Sequence, residues 1–157
     1  SGPYMEEGKS HEEIFETSFA PEREAAEVEW KPVPEGVALA DRPWVVDFTK
    51  MADLAGDNRT VYARTRVWSP ERREALLLLG SDDGAKVWLN GERVHGVTGS
   101  RGQTDDQDRI EVVLPGGWNT LLVQVLNGSG GWSLSARFTD REGKAFGDLK
   151  VDAGEGM

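Results

Sequence analysis

Two adjacent carboxylates, Asp82 and Asp83, lie between Gly80 and Gly84 in the segment GSDDGAK. Carboxylate oxygens are the hard ligands that Ca²⁺ prefers, so this short loop is a candidate calcium site with a structural role. Two carboxylates are fewer than a calcium cage needs, and Asp side chains also accept backbone N–H groups in turns. The alternative interpretation is therefore an Asx turn without a metal.

A second group of polar residues lies in the long loop GVTGSRGQTDDQD, residues 96–108. Arg101 together with Asp105 and Asp108 can form bidentate hydrogen bonds with vicinal sugar hydroxyls. Long loops in compact domains often carry function, which favours a binding role. The alternative is a solvated surface loop.

Two tryptophans, Trp118 and Trp132, each open a predicted strand directly after a Gly-Gly pair. A ring at such a junction can stack on the apolar face of a sugar, so both are candidate ligand-binding residues. Rings at these positions can equally close the end of a β-sandwich. Trp88 shares its parity with Lys86, which leaves open the side of the sheet that it faces.

The segment VYARTRVW places Arg64 and Arg66 on one face of a predicted strand. A neutral sugar is the default expectation for a ligand, but an arginine stripe with aromatic neighbours would favour an acidic polysaccharide, carrying uronate or sulfate groups. The alternative is an ordinary solvated face, on which arginine stems cover apolar surface. The same face carries Tyr62 and Trp68, and two later strands offer Gln124 and Arg137 if they are neighbours of this strand.

Catalysis is not expected. The chain has two histidines, His11 and His95, and no cysteine. It contains no G-x-S-x-G, H-E-x-x-H or P-loop pattern. Its 28 acids make chance carboxylate pairs inevitable, so sequence alone does not identify a pair for glycoside hydrolysis. The remaining alternative, a hydrolase or lyase, predicts turnover by the isolated domain and a deep cleft with a perturbed carboxylate.

Composition restricts the partners further. The net charge of −10 argues against nucleic acid and against anionic membrane surfaces as partners. No apolar run is long enough for a transmembrane helix. With 19 Gly and 7 Pro in 157 residues, the chain is rich in turns, which suits an all-β domain.

Short alternating strands must position these residues. Runs such as VYARTRVW, EALLLLG, RIEVVL and WNTLLVQVLN are separated by turn signals, and Asn90-Gly91 predicts a type I′ hairpin. Further strands are predicted at VEWKPV, WVVDF, WSLSARFTD and AFGDLKV. We expect an all-β fold, a β-sandwich or jelly roll of about eight or nine strands.

We expect one domain with two extensions. Residues 1–27 form an acidic lead-in that lies across the domain, with a short helical turn, or a linker; residues 28–151 form the β-sandwich; residues 152–157 form a frayed tail. The opening Ser1-Gly2 is typical of a protease-cleaved end, so we expect a signal or upstream domain in the parent protein.

Three segments carry a resemblance to a known kind of domain: GSDDGAKVWLNG, LPGGWNTLLVQV and GGWSLSARFTDREG. Over residues 28–147 the chain resembles the galactose-binding-like jelly-roll modules of secreted bacterial glycosidases, lyases and peptidases. SDDG followed by VWLNG also resembles PA14 glycan-binding domains. That second resemblance implies a calcium ion at Asp82 and Asp83 that holds sugar hydroxyls.

The resemblance implies a non-catalytic carbohydrate-binding module, monomeric, that brings a linked catalytic domain to a polysaccharide or oligosaccharide. It implies a secreted, extracellular or periplasmic bacterial location. The alternative is a structural or docking β-sandwich that packs against neighbouring domains and has no sugar site.

Overall fold

The computed structural model describes residues 1–23 and 26–152 of the chain, and in these the predicted all-β sandwich is confirmed. Helix is limited to α1 (His11–Glu16) and to three 3-10 turns at Ala20–Glu22, Phe48–Lys50 and Ala52–Leu54. Nine strands are present in the described part of the chain. They are β1 (Val45–Asp47), β2 (Arg59–Ser69), β3 (Arg73–Asp82), β4 (Ala85–Leu89), β5 (Glu92–Val97), β6 (Asp108–Leu114), β7 (Gly117–Asn127), β8 (Ser133–Thr139) and β9 (Lys150–Asp152).

The strands form two antiparallel sheets. The four-stranded sheet has the order β1-β8-β3-β6, and the five-stranded sheet has the order β5-β4-β7-β2-β9. Alternate residues of each strand point between the sheets, such as Val61 of β2, Leu77 of β3 and Val123 of β7. This leaves the outer face of each sheet available for other contacts.

The hairpin predicted at Asn90-Gly91 joins β4 to β5. Both residues have positive φ, 52° and 82°, as a type I′ turn requires. The register of β4 against β7 pairs Trp88 with Leu122, so the hairpin fixes Trp88 on the outer face of the five-stranded sheet.

Two predicted strands differ from the structure. The segment VEWKPV, residues 28–33, contains no strand, because Pro32 lacks the N–H that a ladder requires and Pro34 follows closely. The last strand is shorter than AFGDLKV: Ala145 forms only an isolated bridge with Thr139, and regular pairing begins at Lys150.

The N-terminal segment lies across the five-stranded sheet. Helix α1 begins with a capping box between Ser10 and Glu13. Its apolar side and Phe19 pack on the outer face of the sheet in a second, smaller core. That core consists of Ile14, Phe15, Phe19, Tyr62 and Leu126. Residues 24 and 25 of this segment, and 153–157 of the expected frayed tail, lie outside the described residues.

No helix in the described residues has the length and hydropathy to span a bilayer.

Candidate functional site

Tryptophan side chains gather on the outer face of the five-stranded sheet, beside the N-terminal segment. The register places Trp68 of β2 opposite Trp118 of β7 and opposite Lys150 of β9. Residues directly opposite in antiparallel strands lie on the same face. Trp118 is 49% exposed, unusually high for so large a ring. We call this surface the tryptophan face; it comprises Trp30, Trp68, Trp88, Trp118, Leu122, Arg64, Arg66 and Lys150.

A cationic group lies over each of the four tryptophan rings of this face. The Arg64 guanidinium lies 4.1 Å from the Trp30 ring centroid, and that of Arg66 lies 4.9 Å from the Trp118 ring. Lys150 Nζ lies 4.6 Å from the Trp68 ring. These cation–π contacts hold rings and charges in one layer. The face therefore offers apolar ring surface and hydrogen-bond donors side by side.

The two arginines on the tryptophan face differ in whether an acidic residue pairs with them. Arg66 Nη2 donates to Asp152 Oδ2 at 2.5 Å. Arg64 forms no ion pair with any residue among 1–23 and 26–152, and its buried Nε has no hydrogen-bond partner there. Burial, and secondarily the charge of Arg66, lower the pKa of Arg64 from its ordinary value. A local positive charge thus persists on a protein of net charge −10.

A cavity of about 590 Å³ adjoins the tryptophan face where the edge of β2 meets the N-terminal segment. Trp30 and Arg64 belong to both the cavity and the face. Apolar lining comes from Phe48 and Leu54. Lys31 also lines the cavity, 3.8 Å from Glu29 in an exposed ion pair.

The pKa of the Ser1 amino group is affected by the burial and the charges around this cavity. The amino group donates to the Tyr62 carbonyl at 2.7 Å. Burial first, and then the charges of Arg64 and Lys31, lower its pKa from 8.0 to about 6. The folded protein therefore binds fewer protons than the unfolded chain between these pH values.

We expect the free energy of unfolding to fall as the pH is lowered from 8 to 6, because the unfolded chain then binds the extra proton. The Ser1 contribution is about 1–2 kcal/mol after allowance for solvent screening. Urea unfolding at both pH values measures it, with the N-terminally acetylated chain as control. Equal pH dependence of the two chains would contradict the assignment.

No protein-family model matches the chain, and no curated protein matches it in sequence. Among solved structures, the chain is similar to an anti-sigma factor domain-containing protein. That likeness has a TM-score of 0.54 at 14% identity, over 64% of this chain and 36% of the other. It is also similar to the PA14 domain of the MpAFP antifreeze protein, with a TM-score of 0.48 at 13% identity, over 57% and 47% of the two chains.

The chain thus spans about a third of the length of the first of these structures. At 14% identity that likeness concerns the fold alone.

The structure corrects the predicted role of Trp132. Its side chain is only 2% exposed and lies in the main core, 5.8 Å from Phe48 between ring centroids. The indole Nε1–H donates to the Val125 carbonyl at 3.1 Å. Trp132 therefore closes the core, and its ring face is not available to a sugar.

The loop residues that were predicted to bind a sugar form hydrogen bonds and ion pairs within the protein. Arg101 donates to both carboxylate oxygens of Asp108, at 3.0 and 2.7 Å, and also to the Ser81 hydroxyl. Asp105 accepts from the Trp44 indole at 3.1 Å. Burial tends to raise the pKa of Asp108, but the hydrogen bonds and charge of Arg101 lower it. These pairs fix the loop on the four-stranded sheet and away from the tryptophan face.

The carboxylates predicted to bind calcium differ in their surroundings. Asp83 is buried, and its two oxygens accept from the backbone N–H groups of Arg101 and Gly128, at 3.1 and 2.7 Å. Burial, and then the charge of Asp83, raise the pKa of Asp82. The described residues contain no group of three or more His, Asp or Glu placed to hold a metal. Calcium at this loop stays a prediction based on two carboxylates.

The polar stripe is smaller than predicted. Tyr62 and Gln124 lie on the same sheet face as Arg64, but the N-terminal segment buries both. Arg137 belongs to β8 of the other sheet. Of the predicted ligand-binding residues, three lie on the tryptophan face: Arg64, Arg66 and Trp118.

Sequence reasoning missed Trp30, Leu122 and Lys150 as members of the tryptophan face, and it left the facing of Trp88 open. Trp30 lies in a segment that was misassigned as a strand, and Lys150 lies in a three-residue strand. The alternation along the sequence places Trp88 on the same face as Lys86, but only the register of β4 against β7 shows that this is the outer face of the sheet.

Proposed function

We propose that this domain is a non-catalytic carbohydrate-binding module and that a sugar chain lies along its tryptophan face. The observation that carries the proposal is the half-exposed Trp118, in one layer with Trp68 and Trp88 on a rigid sheet. Exposed clusters of large apolar side chains mark interaction sites, because solvation alone does not favour them.

The chemistry of the face suits a sugar better than a wholly apolar ligand. A pyranose ring presents C–H groups on its faces and hydroxyls around its rim. Ring surfaces such as Trp118 can pack on the C–H groups, while Arg66 and Thr120 lie beside them as polar partners. A sheet also keeps such residues at fixed spacing without an entropic cost on binding.

In the parent protein, the module would raise the local concentration of a polysaccharide around a linked catalytic domain. Linkage turns the second binding event into an intramolecular one, so even a weak module increases overall avidity. We propose a secreted or periplasmic bacterial setting for such a protein.

The test is affinity-gel electrophoresis against a panel of neutral and acidic polysaccharides. We expect the unmodified protein to be retarded by at least one of them, and Trp118→Ala to weaken that binding about tenfold or more. Val113→Ala is the matched control, since Val113 is exposed on the outer face of the other sheet. Equal binding by Trp118→Ala and the unmodified protein would exclude the tryptophan face.

Paired gels with Ca²⁺ and with EDTA test the predicted calcium ion at Asp82 and Asp83. Binding that is lost in EDTA, and restored by Ca²⁺, would move the sugar site to the Asp82-Asp83 loop. Binding that is unchanged in EDTA would contradict a role of calcium in it.

One observation favours the second candidate function, a docking domain. The edge strand β9 carries Val151, which is 70% exposed and lies opposite Val67, on the side of the sheet away from the tryptophan face. Exposed edge strands pair readily with other chains. Failure of every polysaccharide to retard the protein would make this the leading function.

A further inference from the structure

The cavity beside Trp30 and Arg64 has a charge that the sugar-binding proposal does not explain. Arg64 points its guanidinium along the Trp30 ring, yet it has no acidic partner among residues 1–23 and 26–152. Every other arginine on the tryptophan face or at its edge has a partner: Arg66 binds Asp152, and Arg59 donates to the Ala55 carbonyl. Among these described residues, the Nε groups of Arg59 and Arg66 also lack a partner, but Arg64 differs from both in forming no hydrogen bond or ion pair through any of its nitrogens.

The immediate surroundings of Arg64 are suited to an anion, since the two carboxylates that line the same cavity, Glu29 and Asp53, lie within 4.0 Å of Lys31. The nearest cations, Arg66 and the amino group of Ser1, repel its charge, and burial removes part of its hydration. An oxyanion that accepted two hydrogen bonds from the guanidinium would relieve both costs. The planar guanidinium, held against Trp30, is pre-organised for such a bidentate contact.

The cavity gives that anion a defined place. Its volume of about 590 Å³ lies within the range of small-molecule sites. Because Trp30 and Arg64 line it and also belong to the tryptophan face, a chain lying on the face reaches the cavity without leaving the protein surface. Phe48 and Leu54 provide the apolar wall that a sugar ring can pack against.

We propose that the cavity binds an anionic sugar unit of the polysaccharide, with the guanidinium of Arg64 holding its carboxylate or sulfate. The inference rests on the proposed function, and it assigns the ligand to the acidic polysaccharides. The shared chemistry is an oxyanion on a pyranose ring.

The test compares charged chains with their neutral counterparts, using the whole chain. Polygalacturonate against its carboxyl-reduced form probes a carboxylate, and dextran sulfate against dextran probes a sulfate. We expect one charged chain to bind about tenfold or more tightly than its neutral counterpart, at low salt. Arg64→Met, which keeps the stem over Trp30, should abolish that preference.

Two further variants separate the outcomes. Arg109→Met removes an exposed arginine from the four-stranded sheet and should keep the preference, which controls for net charge. Arg64→Lys keeps the charge but loses the bidentate fork, and should retain only part of the preference.

The failures of the two proposals are distinguishable. Binding that depends on Trp118 but shows no preference for a charged chain overturns the anionic site and leaves the sugar module standing. A preference that survives in Arg64→Met also overturns the site. Absence of binding to all four polysaccharides overturns both proposals.

Discussion

Replacing Trp132 by alanine is expected to lower the free energy of unfolding by about 3–5 kcal/mol. The ring fills the space between the sheets beside Phe48, and its indole N–H satisfies the Val125 carbonyl. Truncation leaves a cavity and removes one of two side-chain hydrogen bonds to the Val125 carbonyl, which keeps the bond from the Thr60 hydroxyl. The cavity therefore accounts for most of the expected loss. Urea unfolding followed by fluorescence or circular dichroism measures the change.

Trp118→Ala is the matched comparison for Trp132→Ala. The same ring is removed, but from a half-exposed position on the outer face. We expect a loss of about 1 kcal/mol or less, which reflects the contact with Arg66. A larger loss from Trp118→Ala than from Trp132→Ala would contradict the placement of the two rings.

Replacing Glu22 by alanine should destabilise the protein by about 3–5 kcal/mol, because it leaves the buried ammonium of Lys86 unpaired. The Lys86 side chain is only 5% exposed and lies 3.1 Å from Glu22. Glu22 also accepts the hydroxyl hydrogen of Tyr62. Burial raises the pKa of Tyr62, so its hydroxyl remains a donor throughout the accessible pH range. Denaturant unfolding of the variant gives the size of the effect.

A double variant tests whether the unpaired charge is the cause. Glu22→Ala with Lys86→Met removes both charges and should recover a large part of the stability lost in Glu22→Ala alone. Glu29→Ala, at an exposed site, should stay within about 0.5 kcal/mol of the unmodified protein. If the double variant is no more stable than Glu22→Ala, the cost has another origin.

The fold was predictable because its signals are local. The alternation in VYARTRVW and the Asn90-Gly91 turn each determine a strand or hairpin from adjacent residues. The errors occurred where the pattern was short. VEWKPV contains Pro32 and is followed by Pro34, and only Lys150 and Val151 of AFGDLKV belong to a regular strand.

The site was only partly predictable because its members are assembled by register. Nothing near Trp132 in sequence distinguishes it from Trp118, since both follow Gly-Gly, yet one ring points into the core and the other outward. Predicted loop position also failed to identify binding residues: Arg101 lies in the loop and Asp108 at the start of β6, and they bind each other. Internal pairing of this kind depends on three-dimensional contacts that the sequence pattern does not specify.

The pairing of β2 with β7 has a consequence for how the chain folds. The two longest strands of the five-stranded sheet lie far apart in the sequence, with the whole of β3 to β6 between them. Loop-closure entropy delays such pairings relative to a local hairpin like β4–β5. Since Trp68 lies on β2 and Trp118 on β7, a partly folded chain lacks the tryptophan face. Under the proposed function, only molecules that have completed this pairing could bind the polysaccharide, because a nascent or unfolded copy would lack the binding surface.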